Sequence, residues 1–251
     1  MPFDETRMVS SQNLAVSLKF PSVLPSLLLR GRVDTYRRLL SKILHALSRT
    51  GEAEISECLS KTLETGRLSF PQRFRVLDGS RGLVAPVVSY YLCRRIQPEQ
   101  VIETGVWTGK TTWFILQALQ DNNRGYLTSM DLGVTRLGDG PILEDLPTDE
   151  IGGFVPKQLR KRWQLLIGDS AKLLPEIDAR VSKIGLFLHD SNHSYEHMTF
   201  EYETMWPLIL PGGFLCSDDV DSNSAWTDFL MKSDRYGSTI QNRFGVCKKQ
   251  A

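Results

Sequence analysis

Val101-Ile102-Glu103-Thr104-Gly105-Val106-Trp107-Thr108-Gly109-Lys110-Thr111-Thr112-Trp113 is a short apolar run that ends in an acid, passes through a glycine-spaced turn and opens a helical pattern. Trp113, Phe114, Leu116, Ala118 and Leu119 supply the apolar side of that helix. The unit is a strand, a turn and a helix. Glycine has no Cβ and tolerates φ > 0, so such a turn brings backbone close to a ligand. The helix N-terminus behind it offers unpaired N–H groups to polar ligand atoms.

Gly109-Lys110-Thr111 looks like the second half of a phosphate-binding P-loop. That motif needs four residues between its glycines, and here only Val106, Trp107 and Thr108 separate Gly105 from Gly109. Thr104 stands where the first glycine should be. The loop is one residue short of wrapping a phosphate chain. The bland alternative is a βα turn with no ligand, and the rest of the chain has to decide.

Composition narrows the classes. The chain has 251 residues, 41% hydrophobic and 24% charged, as in an ordinary globular protein. A formal charge of +1 gives no global pull toward nucleic acid or membrane. Cys58, Cys93, Cys216 and Cys247 lie far apart without a C-x-x-C pair, which argues against a disulfide framework or structural zinc and fits a reducing cytosol. No run approaches the roughly 20 apolar residues of a membrane span. Asp4 and Glu5, and the absence of a basic start, argue against a signal peptide.

Residues 1–80 predict a helical N-terminal extension, and 81–251 a single α/β domain. The first thirty residues are apolar in patches, but Pro21 and Pro25 forbid a long helix through them. Packing of this segment on the domain or on a second subunit is the expectation. Helices are predicted over 34–48, over 52–65 with Gly66 as the stop, and over 84–96. From residue 100 the rhythm changes. Apolar runs at 100–104, 126–130, 163–167, 184–189 and 213–217 alternate with helical patterns, which indicates βαβ units and a parallel sheet with both faces covered. Ser238-Thr239-Ile240 and Phe244-Gly245-Val246-Cys247 predict an antiparallel pair at the sheet edge. The link between Asp131 and Trp163 is long, and long loops in compact domains collect function or mobility. Pro156 to Arg162 reads as a short basic helix, and the rest of the link is expected to border a substrate site.

Ligands of open parallel sheets bind beyond the carboxyl ends of the strands. Each predicted end carries an acid: Glu103, Asp131, Asp169 in Gly168-Asp169-Ser170, Asp190 after His189, and Asp218-Asp219. Asp131 lies about twenty residues past the glycine turn, where an acid can accept hydrogen bonds from ribose hydroxyls. Unpaired carboxylates beside a low-dielectric core are costly, so the set implies partners or a ligand. Helix capping accounts for one or two of them, with Asp169 and Asp219 the candidates.

Two further segments make the pattern specific. They are Leu186-Phe187-Leu188-His189-Asp190-Ser191-Asn192-His193-Ser194-Tyr195-Glu196 and Trp206-Pro207-Leu208-Ile209-Leu210-Pro211-Gly212-Gly213-Phe214-Leu215-Cys216-Ser217-Asp218-Asp219-Val220. With the E-x-G-x-x-x-G turn before them, they resemble class I S-adenosylmethionine-dependent methyltransferases. The likeness is to the subfamily of macrolide-sugar O-methyltransferases and cephalosporin-biosynthesis proteins, whose pattern is D-G-D-H-S-Y, a helix, W-P-x-L-x-P-G-G, and a strand ending in two acids. Ser191 and Asn192 depart from it, standing where Gly and Asp are usual. The resemblance covers about residues 80–251 and implies a Rossmann-like, doubly wound, mostly parallel seven-stranded sheet with its last strand antiparallel.

It also implies a chemistry. S-adenosylmethionine would lie over Gly105 and Gly109, with Glu103, Asp131, Asp169, Ser170 and Asp190 around it. A divalent ion, commonly Mg²⁺, would sit on Asp190, Asp218 and Asp219, whose hard oxygen ligands suit that ion. His193 would be the general base that deprotonates a hydroxyl of a small molecule or sugar. A zinc site on His189, His193 and His197 is disfavoured, because no H-E-x-x-H order is present, and His197 is expected on a helix surface. The rival functions are a P-loop-like nucleotide hydrolase and a cofactor-binding scaffold without catalysis.

Overall fold

The computed structural model describes residues 26–65, 81–133, 135–136, 142–144, 151–178, 183–232 and 235–250. Three helices lead the fold: α1 (Ser26–Ser48), α2 (Glu52–Thr65) and α3 (Val84–Ile96). The α/β part runs β1 (Gln100–Thr104), α4 (Lys110–Asp121), β2 (Tyr126–Asp131), the short pair β3 (Thr135–Arg136) and β4 (Ile142–Glu144), then β5 (Trp163–Ile167), α5 (Ser170–Asp178) and β6 (Ile184–His189). It closes with α6 (Tyr195–Met205), β7 (Ile209–Ser217), α7 (Ala225–Leu230), β8 (Arg235–Ile240) and β9 (Phe244–Lys249).

Seven strands form one sheet in the order β5-β2-β1-β6-β7-β9-β8. β1 pairs parallel with β2 and β6, β2 with β5, and β6 with β7. β9 is inserted antiparallel between β7 and β8. This is the Rossmann-like, mostly parallel seven-stranded architecture that the resemblance implies, and its parallel part is what the strand rhythm indicates.

Side chains alternate across the sheet with period two. Val101, Leu186, Leu188, Phe214, Cys216 and Val246 join one buried cluster, with α3, α4 and the apolar sides of α1 and α2. Ile102, Phe187, Leu215 and Cys247 join the other, with α5, α6 and α7. Each fully buried aliphatic or aromatic side chain contributes about 1.5–3 kcal/mol relative to exposure, so neither face could stand uncovered. Leu40, Leu44 and Leu47 of α1 and Ile55 and Leu59 of α2 are buried in the first cluster. The four cysteines are free and buried.

Three expectations change. α1 begins at Ser26 rather than near residue 34. Both prolines precede it in sequence and so do not interrupt it. The apolar segment 1–25 and Gly66 lie outside the described residues. β5 is not buried on both sides: it is the sheet's edge strand, half-covered, with Ile167 exposed. Its apolar run is indistinguishable in composition from a central strand, and only its place in the strand order separates the two. Finally, β7 begins at Ile209, four residues before the run at 213. Among the described residues, no helix is long and apolar enough to cross a membrane.

Candidate active site

The parallel registers set every strand end at one edge. Thr104 lies opposite Met130 of β2 and opposite His189 of β6, and His189 lies opposite Ser217 of β7. The ladder continues one residue further. Gly105 N–H donates to the Met130 carbonyl (2.8 Å), Asp190 N–H to that of Thr104 (2.8 Å), Asp218 N–H to that of His189 (2.9 Å) and Gly168 N–H to that of Asp131 (2.8 Å). The acids expected at the strand ends therefore share a rim.

At the glycine turn, Asp131 Oδ2 accepts from the N–H groups of Val106 (2.9 Å) and Trp107 (2.8 Å), and Oδ1 from Gly133 N–H (2.8 Å). Three of roughly four acceptor positions of this carboxylate are thus filled by backbone. Gly105 has φ +83°, and a Cβ there would stand 1.9 Å from the Asp190 carbonyl oxygen. Gly109 has φ +79°, and its Cβ would stand 2.6 Å from Gly152 Cα. The neighbour at Gly109 belongs to the long link. Residues 151–155 lie across the turn, with Gly152 N–H on the Trp107 carbonyl (2.8 Å) and Phe154 N–H on that of Thr108 (2.9 Å). The expected basic helix is a 3-10 helix, Lys157–Arg162.

Glu103 is fully buried. Its Oε2 accepts from Thr112 Oγ1 (2.8 Å) and Ser129 Oγ (2.6 Å), while Oε1 has no partner. Burial pushes this carboxyl up to about 7, against the pull of those two hydrogen bonds. Asp169 caps α5: its Oδ1 accepts from Ala171 N–H (2.9 Å), and its carbonyl takes Lys172 and Leu173 N–H. Ser170 is buried and donates to Glu201 Oε1 (2.6 Å).

Asp190, Asp218 and Asp219 meet two cations. Arg243, in the turn between β8 and β9, pairs with Asp219, and its Nε is 3.8 Å from Asp218 Oδ1. Lys110, whose ammonium donates to the Gly82 carbonyl, is close enough to Asp190 and Asp218 to be felt by both. Burial, then the charges of Asp218 and Asp219, hold Asp190 well above the usual carboxylate range. Among the described residues, no group of three His, Cys, Asp or Glu side chains is arranged to hold a metal ion. As they stand, the three aspartates face two protein cations and do not fit a ready Mg²⁺ centre.

His193 precedes α6, with Ser194 as the helix N-cap. Its Nε2 lies 3.9 Å from Asp190 Oδ1 and makes no hydrogen bond. Burial, and next the nearby His189, push this imidazole down to about 3, so it is neutral at neutral pH. Asn192, one of the departures from the usual pattern, accepts Ser194 N–H through Oδ1 (3.0 Å) and shapes this entry turn.

Two residues escaped the sequence analysis. Glu201 of α6 is fully buried, and five donors converge on it. Its helix also carries Glu196 and Glu203, and nothing in the local pattern marks one of the three as internal. Arg243 was missed because only the strand order carries its turn to the aspartates. His197 corrects the expectation of a helix-surface residue: it is half-buried, with Nε2 2.8 Å from Glu201 Oε1 and 2.9 Å from Ser170 Oγ. It is spent on that carboxylate, so the three histidines do not form a metal cluster.

A ligand rich in donors and carrying positive charge, as S-adenosylmethionine is, would draw the buried Glu103 and Asp190 into their ionised, accepting form beside Asp131. Residues 102–220 match the family model described as a methyltransferase domain. They are an S-adenosylmethionine-dependent methyltransferase domain. No curated protein matches the chain. Solved structures do. The O-methyltransferase TomG from Streptomyces achromogenes, involved in tomaymycin synthesis and solved with S-adenosylmethionine, is 15% identical over 78% of this chain and 90% of that one, with a TM-score of 0.54. The calicheamicin methyltransferase CalS11 is 16% identical over 78% and 92%, with a TM-score of 0.52. An O-methyltransferase from Bacillus cereus, solved with S-adenosylhomocysteine, is 12% identical over 86% and 100%, with a TM-score of 0.50. At these identities the likeness is one of fold.

Glu103 gives this methyltransferase domain a pH signature. Its folded pKa is raised, so the folded chain holds a proton that the unfolded chain releases above 4.5. Stability is full below that pH and falls as pH rises through about 7. The wild type is expected to lose about 3 kcal/mol across this window that Glu103→Gln does not lose. Urea unfolding of both proteins at pH 4.5 and pH 8 measures the difference, and parallel pH dependences would refute it.

Proposed function

We propose that this chain is an O-methyltransferase acting on a hydroxyl of a small molecule or sugar. The observation that carries the proposal is His193 and Asp190 side by side at the tip of β6, against the glycine turn. A neutral imidazole beside an acid, next to a methyl-donor site, offers a lone pair to a hydroxyl proton. Two of the similar structures are O-methyltransferases by name, which supports the oxygen acceptor without identifying it. Free, buried cysteines accord with a reducing, cytosolic setting.

S-adenosylmethionine supplies a sulfonium-bound methyl group. The chain's part is to hold the acceptor oxygen in line with it and to take the hydroxyl proton. His193 Nε2, which makes no hydrogen bond, would take that proton, and Asp190, ionised as the imidazolium forms, would stabilise it. Charge is neutralised as the methyl moves, so alignment and exclusion of water matter more than added electrostatic pull. Residues 151–155, lying over the turn, contribute to that exclusion. Because Arg243 and Lys110 face the three aspartates, which as they stand form no metal-holding group, no step is routed through a metal ion.

Calorimetric titration tests the donor: heat with S-adenosylmethionine and none with ATP is expected. The reverse would restore the nucleotide-hydrolase alternative. Radiolabelled methyl transfer to a panel of sugars and phenols tests the acceptor chemistry, and binding without transfer across the whole panel would leave a scaffold. His193→Ala is expected to keep donor affinity and to lower turnover by roughly two to four orders of magnitude, the range for a lost general base. Equal turnover would remove the base assignment. Exhaustive EDTA treatment is expected to leave turnover unchanged, and a loss restored by Mg²⁺ would return the aspartates to the role of metal ligands.

A further inference from the structure

Glu201 sits at the centre of the strand tips, and its partners come from almost every element of the site. Oε2 accepts from Thr104 Oγ1 at the end of β1 (2.6 Å) and from His189 Nδ1 at the end of β6 (2.6 Å). Oε1 accepts from Ser170 Oγ at the start of α5 (2.6 Å), Ser191 Oγ beyond β6 (2.9 Å) and His197 Nε2 (2.8 Å). An ionised carboxylate offers about four lone-pair positions and no donor, so the site is saturated. Burial alone would raise this carboxyl, but the two histidines and their hydrogen bonds hold it well below its ordinary range.

The consequence lies in His189. A group that only accepts forces the proton of that ring onto Nδ1. With a single proton on the ring, His189 therefore has a bare Nε2, and this atom is buried without a partner. The ring is clamped on its other sides. It meets His193 edge-on (5.2 Å between centroids, 82°) and Tyr202 likewise (5.5 Å, 81°). Tyr202 is itself tied to Ser217 Oγ at the end of β7 (2.6 Å). So the carboxylate fixes a tautomer, the tautomer fixes a ring, and that ring is the surface against which His193 rests.

We propose that Glu201 is a positioning residue for methyl transfer: it holds His189 as the Nδ1–H tautomer, and the His189 ring holds His193 facing Asp190. This rests on the proposed role of His193 as base. A carboxylate kept only for stability would be a poor choice, because buried charge is costly and well-packed apolar groups often serve as well or better. What it supplies is orientation, and a misplacement of about 1 Å at a reacting group can cost 10²-fold in rate.

Long-range ¹H–¹⁵N spectra of the imidazole rings in the full chain read the tautomer directly. In the wild type His189 is expected to carry its proton on Nδ1, with Nε2 bare. Glu201→Gln, whose amide can donate to Nδ1, is expected to move the proton to Nε2 or mix the two forms. Turnover should fall about 10²-fold in folded Glu201→Gln while the affinity for S-adenosylmethionine is kept. Glu201→Asp, which retains an acceptor-only group, should recover the wild-type tautomer and part of the turnover. A wild-type His189 protonated on Nε2 would overturn the proposal, and it does so even if Glu201→Gln fails to fold. So would spectra that change while turnover stays intact, which would leave Glu201 an anchor of the fold alone. Failure of the methyl-transfer assignment itself shows elsewhere, as absence of heat with S-adenosylmethionine, and leaves the tautomer measurement standing.

Discussion

Parallel pairing of β1 with β2 on one side and β6 on the other is the constraint from which the site follows. The pairing brings Gly105, Asp131, Asp190 and Asp218 to one rim, joined by backbone hydrogen bonds that run one residue past the strands. Crowding carboxylates at one edge raises a cost that has to be met locally. The chain meets it with three kinds of group. Backbone N–H groups of the turn hold Asp131, Lys110 and Arg243 face the aspartates after β6 and β7, and two histidines flank Glu201.

These carboxylates fall into two populations with opposite electrostatics. Glu103 and Glu201 are both fully buried, yet burial moves them apart. Glu103 receives two hydroxyls on one oxygen and nothing on the other, so desolvation wins and its neutral form is favoured. Glu201 receives five donors, two of them imidazoles, so its ionised form wins. The difference is one of donor supply, since the two side chains have the same chemistry and the same exposure. It divides the labour: Glu103 can gain a proton without loss of its partners, whereas Glu201 stays an acceptor and can dictate the protonation of the ring beside it.

Much of the fold was legible because it rests on periodicity. The runs at 100–104, 126–130 and 184–189 lie within strands, helices at 52–65 and 84–96 formed at those bounds, and the tail paired antiparallel. The acids at strand ends were legible too, since a topological rule says where to look. Glu201 was hidden for a physical reason. In Tyr195-Glu196-His197-Met198-Thr199-Phe200-Glu201-Tyr202-Glu203 the acids recur among mixed residues, and α6 has no clean apolar stripe to mark its inner side. Which acid turns inward depends on where Thr104, Ser170 and His189 arrive, and these come from three other elements. Arg243 was hidden likewise, because only the insertion of β9 next to β7 carries its turn to the aspartates.

The glycine spacing that opens the chain's interpretation has a second cause that sequence could not separate from the first. Gly105 lacks a side chain because the Asp190 backbone occupies that space, and Gly109 because Gly152 does. Both contacts are protein against protein, so the turn would need its glycines with no ligand at all. What distinguishes it from an ordinary βα turn is its surroundings. The backbone N–H groups of Val106 and Trp107 are ordered onto Asp131, residues 151–155 lie across it, and Glu103 beneath it keeps an unpartnered oxygen. A packing motif has no use for a buried acid with an unpartnered oxygen, whereas a donor-rich, cationic ligand would draw that acid into its ionised, accepting form. The inference of a methyl-donor site therefore stands on the unsatisfied acid more than on the glycines that first suggested it.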